Sequence, residues 1–316
     1  MICRKNNKCK IFLKISISLF LLYLLIINVD WREVWNYIVN ANIYLIIAYV
    51  IFYFLGLFIS ARKWQVLAEF KKFTNTYFFY FKSYLLGTFL NNFFPSFVGG
   101  DAYRVYVLGK QENKIGESST TIVVDRISGL VGVMILAVVF AFINRDILLG
   151  HDIIVWIITM LAILTTGFIF MIIFFHAKFI QYFIGLLPRF LQKYIKQLSK
   201  FRKGSIIIKT LGYSFLFAIV GVAIANYLLF RSIGIWLSIE DYISVIFLSS
   251  IIAAVPISMG NIGVKEWAYV FLFGIFGVSV SSAITVVILS RVLQMLVSFV
   301  AVPFYIQSKK ILQCRN

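Results

Sequence analysis

The stretch NNFFPSFVGGDAYRVY, residues 91–106, interrupts one of the most apolar regions of this 316-residue chain. Pro95 removes a backbone hydrogen-bond donor and clashes with a continuing helix, whereas Gly99 and Gly100 supply the backbone freedom that a chain reversal requires. The charged residues Asp101 and Arg104 follow directly. We therefore predict that a helix breaks at residues 95–100 and that the chain turns back as a second helix, with Asp101 as its N-cap.

The composition of the chain is that of a membrane protein. It is 61% hydrophobic and only 13% charged, with a mean hydropathy of +0.94. Six segments are long and apolar enough to cross a hydrocarbon core about 30 Å thick; they are residues 11–29, 43–60, 120–143, 153–175, 206–230 and 280–306. Because these runs are continuous rather than alternating, they exclude a β-barrel. We predict an all-α integral membrane protein, with residues 1–316 as a single polytopic domain.

The formal net charge of +18 is unevenly distributed between the predicted loops. Basic residues cluster before the first span, after the second (including Arg62 and Lys63), between the fourth and fifth, and at the C-terminus, whereas the other loops are acidic. This alternation follows the positive-inside rule and predicts a multi-pass protein of the cell membrane with both termini cytoplasmic. It also explains the charge without a nucleic-acid partner. The basic, amphipathic segment 178–203 is predicted to lie at the membrane interface.

If every apolar segment crossed the membrane, acidic loops would lie on the cytoplasmic side and the long basic loop would lie outside, against the positive-inside rule. The conflict disappears if residues 77–110 enter from the cytoplasmic face, break at Pro95 and return to the same face. A second break, with Pro256, Gly260 and Gly263, predicts a hairpin at residues 242–277 that enters from the opposite face. The prediction is therefore six full transmembrane helices plus two re-entrant hairpins. The alternative is eight ordinary transmembrane helices with kinks.

The two breaks are also related in sequence. A cation follows each proline nine residues later, Arg104 after Pro95 and Lys265 after Pro256, and an arginine lies in each following span. This pattern predicts a duplication with an offset of 161 to 165 residues, with repeat 1 at about 43–143 and repeat 2 at about 206–306. Because the hairpins enter from opposite faces, the repeat is inverted, as in many secondary transporters. Broken backbone at membrane depth also predicts a polar cavity between the hairpins.

Seven ionisable residues lie away from the loops and form the candidate substrate-binding set: Asp101, Arg104, Asp125, Arg126, Lys265, Glu266 and Arg291. Charges within a membrane usually pair with one another or line a substrate path. We expect Asp101 to pair with Arg104, three residues further along, and Glu266 to pair with Arg126. The excess of cations and the helix N-termini at the breaks favour a phosphate-bearing anion. The alternative is that these charges only brace the hairpins.

Other chemistry has less support in the sequence. The two histidines show no metal-ligand spacing, and the three cysteines fall on the predicted cytoplasmic side, so neither a metal site nor a cofactor is expected. No nucleotide motif or catalytic triad is present, and we do not predict an enzyme. Three classes of function remain open: lipid translocation, a part in aminoacyl-phospholipid or glycolipid synthesis, and transport of a small solute or ion.

Four segments resemble a known family: ARKWQVL (61–67), GTFLNNFFPSFVGGDAYRVYVLGK (87–110), TIVVDRISGL (121–130) and PISMGNIGVKEWAYVFLFGIFGV (256–278). In this order they look like the lysylphosphatidylglycerol synthase transmembrane region, also called flippase-like domain proteins. That family usually has Glu-Arg where this chain has Asp125-Arg126. It often has Gly-Gly where this chain has Gly260-Asn261.

The resemblance implies translocation of a lipid, either an anionic phospholipid or a polyprenyl-linked lipid, with membrane lipids as the partners. In the full-length synthases a soluble aminoacyl-transfer domain follows the membrane region. Residues 1–316 contain no such domain, so the resemblance implies translocation rather than aminoacyl-lipid synthesis. It leaves the oligomeric state open.

Overall fold

The computed structural model confirms the all-helical membrane class. It describes residues 2–93, 98–150, 152–173, 204–255 and 257–304, together with a few positions between 188 and 201. Within these ranges the secondary structure is helical and contains no strand. Pro95, Pro256 and most of the basic segment 178–203 lie outside the described residues, so their predicted roles stay predictions.

The described residues form these helices in chain order: α1 (Ile2–Asn28), α2 (Trp31–Val39), α3 (Ile43–Phe70), α4 (Tyr77–Phe93), α5 (Val98–Gln111), α6 (Ile115–Ala141), α7 (Arg145–Leu149), α8 (Asp152–Ile173), α9 (Gly204–Ser232), α10 (Ile239–Ala254), α11 (Val264–Gly274) and α12 (Val280–Phe304). Side-chain hydrogen bonds cap the N-termini of several of these helices. The Asn42 side chain accepts from the Tyr44 N–H at the start of α3, and Ser238 accepts from the Asp241 N–H at the start of α10. Residues 218–224 of α9 are π-helical.

Four helices, α3, α6, α9 and α12, are apolar and 25 to 29 residues long. At a rise of 1.5 Å per residue each is about 38 to 44 Å long, which exceeds the hydrocarbon thickness. A bend of 84° separates α1 from α2. The sequence did not predict α2, which packs against α12. The number of helices that cross the bilayer stays a prediction.

Both predicted breaks are reversals of the chain. In the first, α4 and α5 pack antiparallel: the Gly100 N–H donates to the Asn91 side chain at 2.8 Å, and at the other end Lys114 lies over the Phe73 ring. In the second, α10 packs against α11, and the ring centres of Tyr242 and Phe273 lie 5.9 Å apart at the open end of the hairpin. The chain therefore does not continue through either break as one kinked helix. The four hairpin helices are about 17 to 26 Å long, which is shorter than the hydrocarbon core.

The local structure of the first break differs from the prediction. Helix α5 begins at Val98, so Gly99, Gly100 and Asp101 lie inside its first turn, and the prediction that Asp101 is the N-cap is wrong. Gly100 is needed for close packing rather than for the turn, because a Cβ there would lie 2.6 Å from the Gly87 carbonyl carbon.

The second break follows the prediction more closely. Gly260 has φ of 62° and Gly263 has φ of 90°, which is the left-handed region that favours glycine. Gly263 also precedes the first residue of α11. These two glycines supply the reversal.

The loops contact one another in the groups that the charge alternation predicts. Among the predicted external loops, the Asn42 N–H donates to the Ser232 carbonyl at 2.8 Å, and the Asn144 amide donates to the Asp241 carboxylate at 2.7 Å. On the predicted cytoplasmic side, the Lys71 ammonium donates to the Gln197 carbonyl at 3.2 Å. These contacts agree with the predicted division of the loops between two faces.

We expect single cysteines at Asn113 and Ser238 to be labelled from opposite faces of the membrane. Asn113 follows the first hairpin, on the predicted cytoplasmic side, and Ser238 precedes the second, on the external side. The measurement is reaction with an impermeant maleimide in intact and in opened cells, in a background that lacks Cys3, Cys9 and Cys314. Labelling of both positions from one face would refute the predicted topology.

The packing of α3–α6 is mirrored by that of α9–α12. Helix α6 packs against α10 of the second hairpin, and α12 packs against α4 of the first, while α3 packs against α9. Helices α6 and α12 begin 165 residues apart, at Ile115 and Val280. Gly56 and Gly221 are also 165 residues apart, and they meet directly: a Cβ at Gly56 would lie 2.8 Å from the Gly221 Cα. This reciprocity is what a twofold relation between the two predicted repeats requires.

Candidate functional site

The predicted charged residues separate into two networks, one in each half of the chain. Network 1 links α3, α5 and α6, and it consists of Lys63, Asp101, Arg104, Asp125 and Arg126. Network 2 links α11 and α12, and it consists of Lys265, Glu266, Ser290 and Arg291. Among the described residues, no hydrogen bond or ion pair joins one network to the other. Whether both border one cavity stays a prediction.

The centre of network 1 is a buried carboxylate between two cations. The Asp125 carboxylate lies 3.0 Å from the Lys63 ammonium and 2.8 Å from the Arg104 guanidinium, and all three side chains are almost fully buried. The Lys63 ammonium also donates to the backbone carbonyl of Asp125 at 2.9 Å and contacts the Ser214 hydroxyl of α9. This triad therefore ties together α3, α5, α6 and α9.

Aromatic rings enclose Arg104 on both sides. Its guanidinium lies 4.3 Å from the centre of the Trp64 ring and 4.2 Å from that of Tyr84. Cations are attracted to ring faces, most strongly where water is excluded. Arg104 also pairs with Asp101 at 3.4 Å, as predicted from their spacing. This enclosure favours a bracing role for Arg104, and its predicted contact with a substrate stays a prediction.

The outer part of network 1 is more accessible. The Arg126 side chain is 51% exposed, and it binds Asp101 through two hydrogen bonds, from Nε at 2.8 Å and from a terminal nitrogen at 3.0 Å. The predicted pairing of Arg126 with Glu266 is therefore wrong. Asp101 and Arg126 form a two-point ion pair at the edge of the first hairpin.

Network 2 is centred on Glu266 and Arg291. Arg291 Nε donates to the Glu266 carboxylate at 2.8 Å, and its terminal nitrogens donate to the backbone carbonyls of Gly260 and Asn261 at 3.2 and 2.8 Å. The other Glu266 oxygen accepts from the Gly263 N–H at 2.7 Å. The pair thus holds the broken backbone before α11 in place. The Arg291 side chain remains 29% exposed.

Lys265 is bonded differently from every other cation of the two networks. Its ammonium donates to the Ser290 hydroxyl at 2.9 Å and lies 5.7 Å from the centre of the Tyr269 ring. Among the described side chains, no carboxylate lies within ion-pair distance of it. The sequence paired Lys265 with Arg104 as equivalents, but their surroundings have little in common.

The structure gives a different correspondence between the two predicted repeats. Asp101 and Arg126 are separated by 25 residues, and so are Glu266 and Arg291. The two pairs are offset by 165 residues, the same offset that relates Gly56 to Gly221 and the start of α6 to that of α12. Each half thus has a carboxylate on the returning hairpin helix bound to an arginine on the following long helix.

Lys63 was missed because it was counted as a loop cation after the second span. Helix α3 continues to Phe70, so Lys63 lies inside the protein. One signal was present in the sequence. Lys63 lies at helical spacing on the buried face of α3, which also carries Tyr49, Gly56, Ser60 and Leu67.

No group of three potential metal ligands occurs among the described residues.

Comparison with known proteins shows the family to which the chain belongs. The family model for the lysylphosphatidylglycerol synthase transmembrane region matches residues 11–301. A UPF0104 membrane protein of Methanocaldococcus jannaschii is 28% identical over 235 residues, which is 71% of this chain and 97% of the relative. A UPF0104 membrane protein of Methanothermobacter thermautotrophicus is 26% identical over 238 residues, which is 66% of this chain and 69% of the relative. No solved structure matches the chain.

Proposed function

Because the chain belongs to the family of the lysylphosphatidylglycerol synthase transmembrane region, we propose that this multi-pass membrane protein moves a phosphate-bearing lipid between the two leaflets of the bilayer. The headgroup would pass along the half-buried arginines at the two hairpins, while the lipid tails remain in the hydrocarbon. The lipid is an anionic phospholipid or a polyprenyl-linked lipid.

The observation that carries the proposal is the arrangement of the two acid–arginine pairs. In each pair the carboxylate is the more buried member and the guanidinium the more exposed one: Asp101 with Arg126, and Glu266 with Arg291. Guanidinium groups bind phosphate oxygens through two parallel hydrogen bonds. The carboxylate holds each guanidinium in place before a ligand arrives. Arg126 uses two of its five N–H groups on Asp101 and keeps three for a phosphate, whereas the terminal nitrogens of Arg291 already donate to two backbone carbonyls and leave it fewer.

The buried triad has a supporting role in this proposal. Lys63, Arg104 and Asp125 fix the first hairpin against α3 and α6, so that the Asp101–Arg126 pair is presented from a rigid base. Fixed supporting contacts are what keep a binding group in a productive geometry.

The proposal also includes the location and the partners of the protein. The protein would lie in the cytoplasmic membrane with both termini on the cytoplasmic side, and its partners would be membrane lipids rather than nucleic acid. Its charged residues serve transport rather than catalysis. The alternation of basic and acidic loops supports this orientation, and the contacts within each group of loops support the division of the loops between two faces.

We expect Glu266→Gln to slow translocation about tenfold, which corresponds to about 1.4 kcal/mol in the barrier. The change keeps the shape of the side chain but removes the charge that orients Arg291. The measurement is the headgroup accessibility of a labelled anionic lipid in proteoliposomes. Empty vesicles give the background rate, and Glu240→Gln, at an exposed glutamate of α10, is the matched control.

Two results would count against the proposal. Equal rates for the wild type and for empty vesicles, with both phospholipids and polyprenyl phosphates, would remove the translocation function. A wild-type rate in Glu266→Gln would keep the function but exclude the Glu266–Arg291 pair from the path.

A further inference from the structure

Network 2 contains more cations than carboxylates. Lys265 and Arg291 carry two positive charges, and Glu266 carries the one negative charge that network 2 contains. An ionised group away from water is costly unless it is paired. In the described part of the chain, the Lys265 ammonium has the neutral Ser290 hydroxyl as its hydrogen-bond partner. Counted over the described residues, network 2 therefore has a surplus of one positive charge.

Glu266 is not available to supply that charge. One of its carboxylate oxygens accepts from Arg291 Nε at 2.8 Å, and the other accepts from the Gly263 N–H at 2.7 Å. Both oxygens are used to hold Arg291 and the start of α11. Adjacent residues on a helix point about 100° apart, so Lys265 and Glu266 also face different directions.

Further donors lie close to Lys265 in the chain. Lys265 is in the first turn of α11, where backbone N–H groups lack acceptors within the helix and favour an anion. Ser258, in the break before α11, is 3% exposed, and its hydroxyl has no hydrogen-bond partner among the residues that the structure describes. The Lys265 ammonium needs a counterion, and the free N–H groups of α11 and the Ser258 hydroxyl need acceptors. An anion with several oxygen atoms could satisfy both needs.

We infer that Lys265, Arg291 and the first turn of α11 form a binding site for one singly charged phosphodiester; that its source is a lipid headgroup rests on the proposed function. A phosphodiester balances the surplus of one positive charge. A phosphate monoester carries about −1.5 to −2 charges near neutral pH and leaves the site with excess negative charge. Lys265 contacts the ligand, and Glu266 is a positioning residue that holds Arg291.

The test is thermal unfolding of the detergent-purified protein with four separate additions: phosphatidylglycerol, phosphatidic acid, diacylglycerol and inorganic phosphate. A ligand that binds the folded state raises Tm. We expect phosphatidylglycerol to raise the Tm of the wild type most, and diacylglycerol to leave it unchanged. Lys265→Met should weaken the apparent affinity for phosphatidylglycerol about tenfold or more, because a charge-assisted hydrogen bond is lost. Lys265→Arg and Lys209→Met, at an exposed lysine of α9, should keep it.

The Tm without ligand separates a binding role from a structural one. Lys265→Met removes an uncompensated charge while keeping the aliphatic stem, so we expect a Tm equal to or above that of the wild type. A clear drop would show that Lys265 supports the fold, which would overturn the inference. Unchanged affinity for phosphatidylglycerol in Lys265→Met would overturn it as well.

The remaining outcomes test the ligand and its source. Tighter binding of phosphatidic acid than of phosphatidylglycerol would refute the single charge, and inorganic phosphate binding as tightly as phosphatidylglycerol would make the ligand a free anion. Binding at Lys265 without translocation in proteoliposomes would remove the proposed function and leave the site. Translocation by a Lys265→Met protein at the wild-type rate would exclude this site from the translocation path and leave the function.

Discussion

Asp125→Asn is expected to lower the free energy of unfolding by about 3–5 kcal/mol, which is the effect of removing one member of a buried ion pair. The change leaves Lys63 buried with no carboxylate partner among the described residues, and it leaves Arg104 with only its longer contact to Asp101 at 3.4 Å. Lys63 of α3 and Arg104 of α5 both bind Asp125 of α6, so the loss of the carboxylate should loosen the packing of the first hairpin against α3 and α6. The measurement is the Tm and the monodispersity of the purified protein in detergent.

The matched control is Asp146→Asn in α7. Asp146 also contacts an arginine, Arg145 at 3.5 Å, but its side chain is 93% exposed, and such surface pairs contribute about 0 to 1 kcal/mol. Equal Tm values for the two variants would show that the triad does not support the fold. It would then have to be reconsidered as part of the substrate path.

Gly100→Ala is expected to destabilise the protein by about 1–3 kcal/mol or more, as overpacking in a close contact does. The added Cβ would lie 2.6 Å from the Gly87 carbonyl carbon and 2.8 Å from the Asn91 side chain. Because the first obstacle is backbone, α4 and α5 must separate to make room. Tm in detergent and the translocation rate should both fall, since Asp101 is the next residue in α5.

The same substitution at Gly116 should have the opposite sign. Gly116 lies in the first turn of α6, and a Cβ there would meet nothing within 4 Å. Alanine is favoured over glycine in a helix by about 1 kcal/mol, so Gly116→Ala should leave Tm unchanged or raise it. A Gly100→Ala protein that is as stable as Gly116→Ala would show that the hairpin tolerates a wider separation.

The fold class and the reversals were predictable because they depend on local properties. Apolar length, the position of proline and glycine, and the charge of the loops are all read along the chain. The hairpins at Pro95 and Pro256 follow from these properties. Gly260 and Gly263 adopt positive φ, which glycine favours.

The pairing of the charges was not predictable in the same way. The doublets Asp125-Arg126 and Lys265-Glu266 are visible in the sequence, but neighbouring residues point about 100° apart, and helix rotation decides which one faces inward. In both doublets the carboxylate is the buried member. The prediction that Arg126 pairs with Glu266 failed because each arginine binds a carboxylate in its own half of the chain. Lys63 was misassigned because the sequence placed the end of α3 too early.

Helix α8 acquires a specific meaning from the predicted orientation. Two full crossings and one re-entrant hairpin return α3–α6 to the face from which they started, so a second copy joined directly would have the same orientation as the first. One additional crossing between the copies reverses it. Helix α8 is 22 residues long, lies between them and packs mainly against α6, with Trp156 and Met160 among its exposed residues. We expect α8 to make this crossing and so to give the two predicted repeats opposite orientations. In that role the length and apolar character of α8 would matter more than any single side chain.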